Sequence, residues 1–176
     1  FKESIEVTLE NELLPFLYPN QYVFFTPESK AVEKAAELVQ NSSSDLEAVE
    51  DIYHFVIENI AYDEKKAESV QTGYLPDIDS TLSEKTGICF DYASLTAAML
   101  RSQQIPAKLE IGYSGDIYHS WISVYIEDIG WIDKMIEFTG DAWTRMDPTF
   151  AAGNNNSKKV LKYIGDGSNY TLQYTR

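Results

Sequence analysis

Three residues of this chain could together make an activated-thiol site. Cys89, the sole cysteine, lies in Gly87-Ile88-Cys89-Phe90-Asp91-Tyr92-Ala93, His119 in Tyr118-His119-Ser120-Trp121, and Asp147 in Met146-Asp147-Pro148-Thr149. The chemistry needs these types: a thiolate attacks, an imidazole moves the proton, and a carboxylate fixes the ring's tautomer and orientation. Cys89 follows a glycine and opens a helical pattern, where exposed backbone amides and the dipole stabilise a thiolate. The bland alternative is a buried small hydrophobe. Against it, the buried stripe of that helix is already supplied by Tyr92, Leu95, Thr96, Met99 and Leu100.

Asp91 complicates the site. A carboxylate in the first turn supports the helix but opposes ionisation of a nearby thiol, so it is expected to point away from the sulfur. His54 stands between Glu50 and Glu58 at four-residue spacing and reads as a surface histidine. That leaves His119, which opens a strand with Trp121 on the same face. Asp147 alone could be a turn acid before proline. In an antiparallel meander the start of one strand and the end of the next share an edge. Asp147 then comes near His119 if residues 133–142 are an insertion.

The positioning elements read as helices followed by strands. Thr26-Pro27-Glu28 has the residues of a helix start, and Val32, Ala35, Ala36 and Val39 share one face of the helix it would open. Ser44-Asp45-Leu46-Glu47 is a capping box, opening a helix that buries Leu46, Val49, Tyr53, Val56 and Ile60. From Ala61 to Thr86 no period is clear, and the segment reads as a long loop lining a cleft. A helix runs from about Cys89 to Gln103 and is stopped by Ile105-Pro106. The period then changes to two, in runs at 107–113, 119–127, 131–132 and 143–147, with an edge strand at Tyr170–Tyr174. This is an α+β chain with an antiparallel meander.

With 176 residues the chain suits one domain, 1–176, able to bury a core without disulfide or metal. A net charge of −14 argues against a nucleic-acid partner; it could favour basic partners, though it more simply keeps the chain soluble. No apolar stretch is long enough for a transmembrane segment. No D-x-D-x-D-G calcium loop is present, and one cysteine with two separated histidines is no zinc set, so neither metal nor cofactor is expected. Phe1 at the start, rather than Met, points to removal of something upstream.

Over residues 30–150 the chain resembles the transglutaminase-like superfamily of papain-fold thiol enzymes. The likeness rests on Ile60-Ala61-Tyr62-Asp63, Gly87-x-Cys89-x-Asp91-Tyr92-Ala93, Leu100-Arg101-Ser102 with Ile105-Pro106-Ala107, and Gly112-Tyr113. It continues in His119-x-Trp121-x-x-Val124-Tyr125, Gly130-Trp131 and Asp147-Pro148-Thr149. Each motif alone is weak; seven in the family's order are specific. Gln104 departs from the glycine that usually precedes Ile-Pro, and Asp133–Ala142 is longer than a compact hairpin. Residues 1–25 and 151–176 read as peripheral extensions.

The resemblance implies Cys89 as nucleophile, His119 as general base and acid, and Asp147 as orienting group. It implies a thioester intermediate in a cysteine peptidase or amidase acting on a protein or peptide, with a cell-wall-associated substrate among the options. The backbone amide of Cys89 and a second donor would hold the oxyanion, with Gln71 and Tyr74 as candidates for the second. Tyr118 and Trp121 are candidate substrate contacts, and the tyrosines near the site could bind an extended peptide or a sugar. Two alternatives stay open: glutamine-dependent cross-linking, and a non-catalytic peptide- or glycan-binding module. A structural accessory domain of a longer chain is a third. Family habit and the missing Met place the domain outside the membrane, extracellular or at a bacterial cell surface.

Overall fold

Helix α5 (Cys89–Ser102) has no polar face: every residue from Asp91 to Arg101 is buried. A helix apolar on all sides must be covered on all sides. In the computed structural model, described for residues 8–114, 116–137 and 170–176, helices cover one side of α5 and an antiparallel sheet the other.

The helical layer contains α1 (Lys30–Val39), α2 (Asp45–Asn59) and α4 (Ile78–Glu84). Helix α1 starts at Ser29 rather than Thr26, because the Thr26 amide donates to Ser29 Oγ at 3.1 Å in a turn before the helix. At the start of α2 the Ser44 hydroxyl accepts the Glu47 amide at 3.2 Å. The Glu47 carboxylate accepts the Ser43 amide at 2.7 Å, so the reciprocal bond falls one residue outside the expected box. Val49, Tyr53 and Val56 are buried as expected, together with Ala48 and Ile52.

The segment expected as a loop contains two short helices. Strand β1 (Ala61–Tyr62) pairs in parallel with β2 (Thr86–Gly87), and α3 (Glu64–Ser69) and α4 lie between them. Each helix is capped by an aspartate: Asp63 accepts the Lys66 amide, and Asp77 accepts the amides of Asp79 and Ser80. Elements of six and seven residues are too short to show a period.

The sheet has the order β5-β4-β3-β6 and contains β3 (Ala107–Ser114), β4 (Ile117–Ile126), β5 (Gly130–Glu137) and β6 (Tyr170–Thr175). The meander and the C-terminal edge strand are as expected. Strand β5 runs on through 133–137, so the expected insertion does not begin at Asp133. Ile111 pairs with Ser120 and Gly112 with His119. Leu109, Ile122 and Val124 face α5 in the core; Glu110, His119, Trp121 and Ser123 occupy the other face and are also buried. Gly112 must be a glycine here, since a Cβ would meet the Trp121 ring at 3.0 Å and collide with the Thr171 carbonyl.

Arg101 ties the layers together. Its guanidinium is fully buried and donates to the carbonyls of Ala107 (2.9 and 2.8 Å), Tyr18 (2.9 Å) and Arg176 (2.8 Å). Burial pulls its pKa down to about 10, so it stays a cation at neutral pH. Among the described residues no helix is long and apolar enough to cross a membrane.

Candidate active site

Cys89 is the first residue of α5 and is half-buried. It lines a cavity of about 960 Å³, with the loop after α3 on one wall and Tyr22, Tyr118 and Tyr174 on the other side. The backbone amides of Ser120 and Phe90 and the Ser120 hydroxyl stabilise its thiolate. Burial nevertheless outweighs them and pushes the thiol above the ordinary cysteine range, with the Asp91 charge adding to the rise. The helix start therefore does not by itself make a preformed thiolate. Ser120 is a site residue that sequence reasoning passed over; its signal was position, between His119 and Trp121 on the face opposite theirs.

Asp91 is turned toward the other side of the helix start. Its Oδ2 accepts the Ile88 amide at 2.8 Å and the Lys66 ammonium at 2.7 Å. Its Oδ1 accepts the Tyr74 hydroxyl at 2.5 Å. A fully buried carboxylate is tolerable only with such partners. Lys66 also lies over the Tyr74 ring, 4.7 Å from its centroid. Asp91 thus caps the helix that begins at Cys89 and fastens the cavity wall that contains Gln71 and Tyr74.

Gln71 and Tyr74 both line the cavity with the thiol. The Tyr74 hydroxyl proton is committed to Asp91, which takes it away from an oxyanion role. Gln71 Nε2 donates to the Ser69 carbonyl at 3.0 Å. Tyr118 lines the cavity and is 56% exposed. Trp121 does not: it is 1% exposed, packs over Gly112 and stacks on His119 with centroids 6.4 Å apart. The expected substrate contact is instead a buried support beneath the imidazole.

His119 immediately precedes Ser120, which lines the cavity with the thiol, and is 6% exposed. Strand alternation sets it on the Trp121 face, opposite Ser120. His54 lies 3.7 Å from Glu50 on the outer side of α2, as expected. Asp147 and the run from Trp143 to Asp147 lie outside the described residues. Among the described residues, no group of three or more His, Cys, Asp or Glu side chains could hold a metal.

A family model for the transglutaminase-like superfamily matches residues 32–134, more than half of the chain. The chain belongs to the transglutaminase-like superfamily. Among relatives of this superfamily, mouse (Mus musculus) kyphoscoliosis peptidase is 25% identical over 165 residues, covering 84% of this chain and 25% of its own. The chain therefore spans about a quarter of the length of that curated relative. A solved structure described as a candidate cysteine protease from Cytophaga hutchinsonii is 25% identical, with a TM-score of 0.56 over 70% of this chain and 41% of that one. The periplasmic domain of TgpA from Pseudomonas aeruginosa is 20% identical, with a TM-score of 0.50 over 82% of this chain and 50% of that one; it shows the shared fold. Helices packed on an antiparallel sheet are thus the transglutaminase-like arrangement.

Proposed function

We propose that this chain is a thiol enzyme acting on amide bonds, a cysteine peptidase or amidase with Cys89 as nucleophile, His119 as base and Asp147 as orienting carboxylate. One observation carries this reading: the half-buried thiol is the first residue of a helix and lines a cavity that Ser120 also lines. Family membership and the cysteine-protease description of a 25%-identical structure agree with it.

Because burial keeps the thiol protonated at neutral pH, His119 takes the proton as sulfur attacks the amide carbonyl. The carbon–sulfur bond forms, and the oxyanion is held by backbone amides at the start of α5. The carbon–nitrogen bond then breaks, the departing amine takes the proton from the imidazole, and a thioester remains. Water attacks the thioester with His119 again as base, releasing the acid and restoring the thiol. A primary amine in place of water would make the chain a cross-linker. The substrate is a protein or peptide in extended form, with a cell-wall-associated one included, and the site of action lies outside the membrane, as for the periplasmic neighbour.

The test is hydrolysis of a peptide-amide library by the wild type, Cys89→Ala and His119→Ala, with and without a primary amine. Hydrolysis lost in both variants and insensitive to amine supports the peptidase reading, whereas amine-dependent product identifies the cross-linker. A second reading, a binding module that retains the fold, is favoured by two features. Burial raises the thiol pKa, and strand alternation turns His119 to the Trp121 face. Peptide binding without turnover in the wild type would select it.

A further inference from the structure

The charge of the cavity is opposite to that of the chain. Acidic residues outnumber basic ones 28 to 14, yet among the described residues no Asp or Glu lines the cavity around Cys89. The one charged side chain lining it there is Arg176. Its guanidinium lies over two tyrosine rings, 5.0 Å from the Tyr22 centroid and 4.9 Å from that of Tyr174. Both tyrosines line the same cavity. The backbone beneath is fixed, since the Arg176 amide and carbonyl pair with Leu109 at 2.8 and 2.9 Å and the carbonyl also accepts from Arg101. Among the described residues its guanidinium makes one hydrogen bond, Nη1 to the Thr175 carbonyl at 3.1 Å, and no ion pair.

A guanidinium lying over aromatic rings keeps its N–H groups available and loses little rotational freedom when they are used. Its natural partner is a carboxylate, met by two parallel N–H···O bonds. We infer that Arg176 is a specificity residue that binds a carboxylate on the substrate segment carrying the attacked amide, with Tyr22 and Tyr174 holding the guanidinium in place. This rests on the proposed attack by Cys89 and narrows its substrate to peptides that present a carboxylate near the attacked amide. An overall negative surface would otherwise repel such substrates, so a cation lining the same cavity as Cys89 selects where on the molecule they bind. The carboxylate has two sources, an acidic side chain or a free C-terminus.

The test uses two small reagents of nearly the same size, iodoacetate and iodoacetamide, reacting with Cys89 at pH 8.5. In the wild type the iodoacetate rate should saturate with concentration while the iodoacetamide rate stays linear. In Arg176→Gln the iodoacetate-to-iodoacetamide rate ratio should fall about tenfold, with partial recovery in Arg176→Lys. Protection of Cys89 from iodoacetamide by acetyl-Gly-Glu-methylamide would assign an acidic side chain; protection by acetyl-Gly-Gln with a free carboxylate would assign a C-terminus. The neutral acetyl-Gly-Gln-methylamide should protect in neither case. A rate ratio unchanged in a folded Arg176→Gln, or protection by neither acid, overturns the inference. The two readings fail separately: turnover intact in His119→Ala sinks the triad and leaves the Arg176 ratio standing, and an unchanged ratio leaves the triad standing.

Discussion

A Cβ placed on Gly87 would stand 2.7 Å from the Cβ of Asp91, four residues along the chain. Helix α5 can therefore begin at Cys89 with a buried carboxylate folded back on its own entry strand only while residue 87 has no side chain. The obstructing atom is part of the Asp91 stem, not the far end of a flexible side chain, so relief requires the helix start to move. Gly87→Ala should destabilise the fold by about 1–3 kcal/mol, as overpacking in a core does, and should slow Cys89 chemistry disproportionately. Urea denaturation followed beside the alkylation rate of Cys89 checks both.

Asp91→Ala removes the acceptor for the Ile88 amide, the Lys66 ammonium and the Tyr74 hydroxyl at once. Leaving a buried amide without its partner costs about 1–3 kcal/mol. The wall bearing Gln71 and Tyr74 should also loosen, seen as faster amide hydrogen exchange over residues 70–75. Exchange unchanged there would show that Asp91 does not fasten the wall.

Much of this arrangement is legible in the residues alone. Gly87, Cys89 and the Ile105-Pro106 stop bracket α5, and the change to a period of two at Ala107 marks the meander. Tyr170–Tyr174 is readable as an edge strand because it alternates. The two helices between Ala61 and Gly87 are not legible by period; Asp63 and Asp77, each capping its helix, are the signals to read. Two partners of Asp91, Tyr74 and Lys66, come from 17 and more residues away, so no local pattern could show that its carboxylate reaches across to them. Trp121 shares the His119 face of its strand, but only the close approach to Gly112 reveals that the face is covered there.

Burial sets the pH response of Cys89. Its thiol pKa is raised, so the thiolate fraction at neutral pH lies below that of an ordinary cysteine. Alkylation by iodoacetamide should accordingly be slow at pH 7 and level off only at alkaline pH, above the midpoint for a small thiol. The Ser120 hydroxyl stabilises the thiolate, so Ser120→Ala should shift that midpoint further up. A midpoint near pH 6 would instead reveal a preformed thiolate–imidazolium pair in the resting protein.

Arg101→Met keeps most of the volume and removes the donors shared among the Ala107, Tyr18 and Arg176 carbonyls. A loss of about 2–3 kcal/mol is expected, within the range for breaking a buried network. Because Arg176 is one of the anchored residues, the iodoacetate preference of Cys89 should weaken even in folded Arg101→Met.

Rapid-quench mass spectrometry of acylation with a peptide p-nitroanilide shows whether Cys89 forms a thioester with proton transfer through His119. An acyl adduct confined to Cys89 is expected in the wild type, forming at least about a hundredfold more slowly in a folded His119→Ala. An adduct that forms equally fast without the imidazole, or none on Cys89 at all while substrate is turned over, would contradict that mechanism.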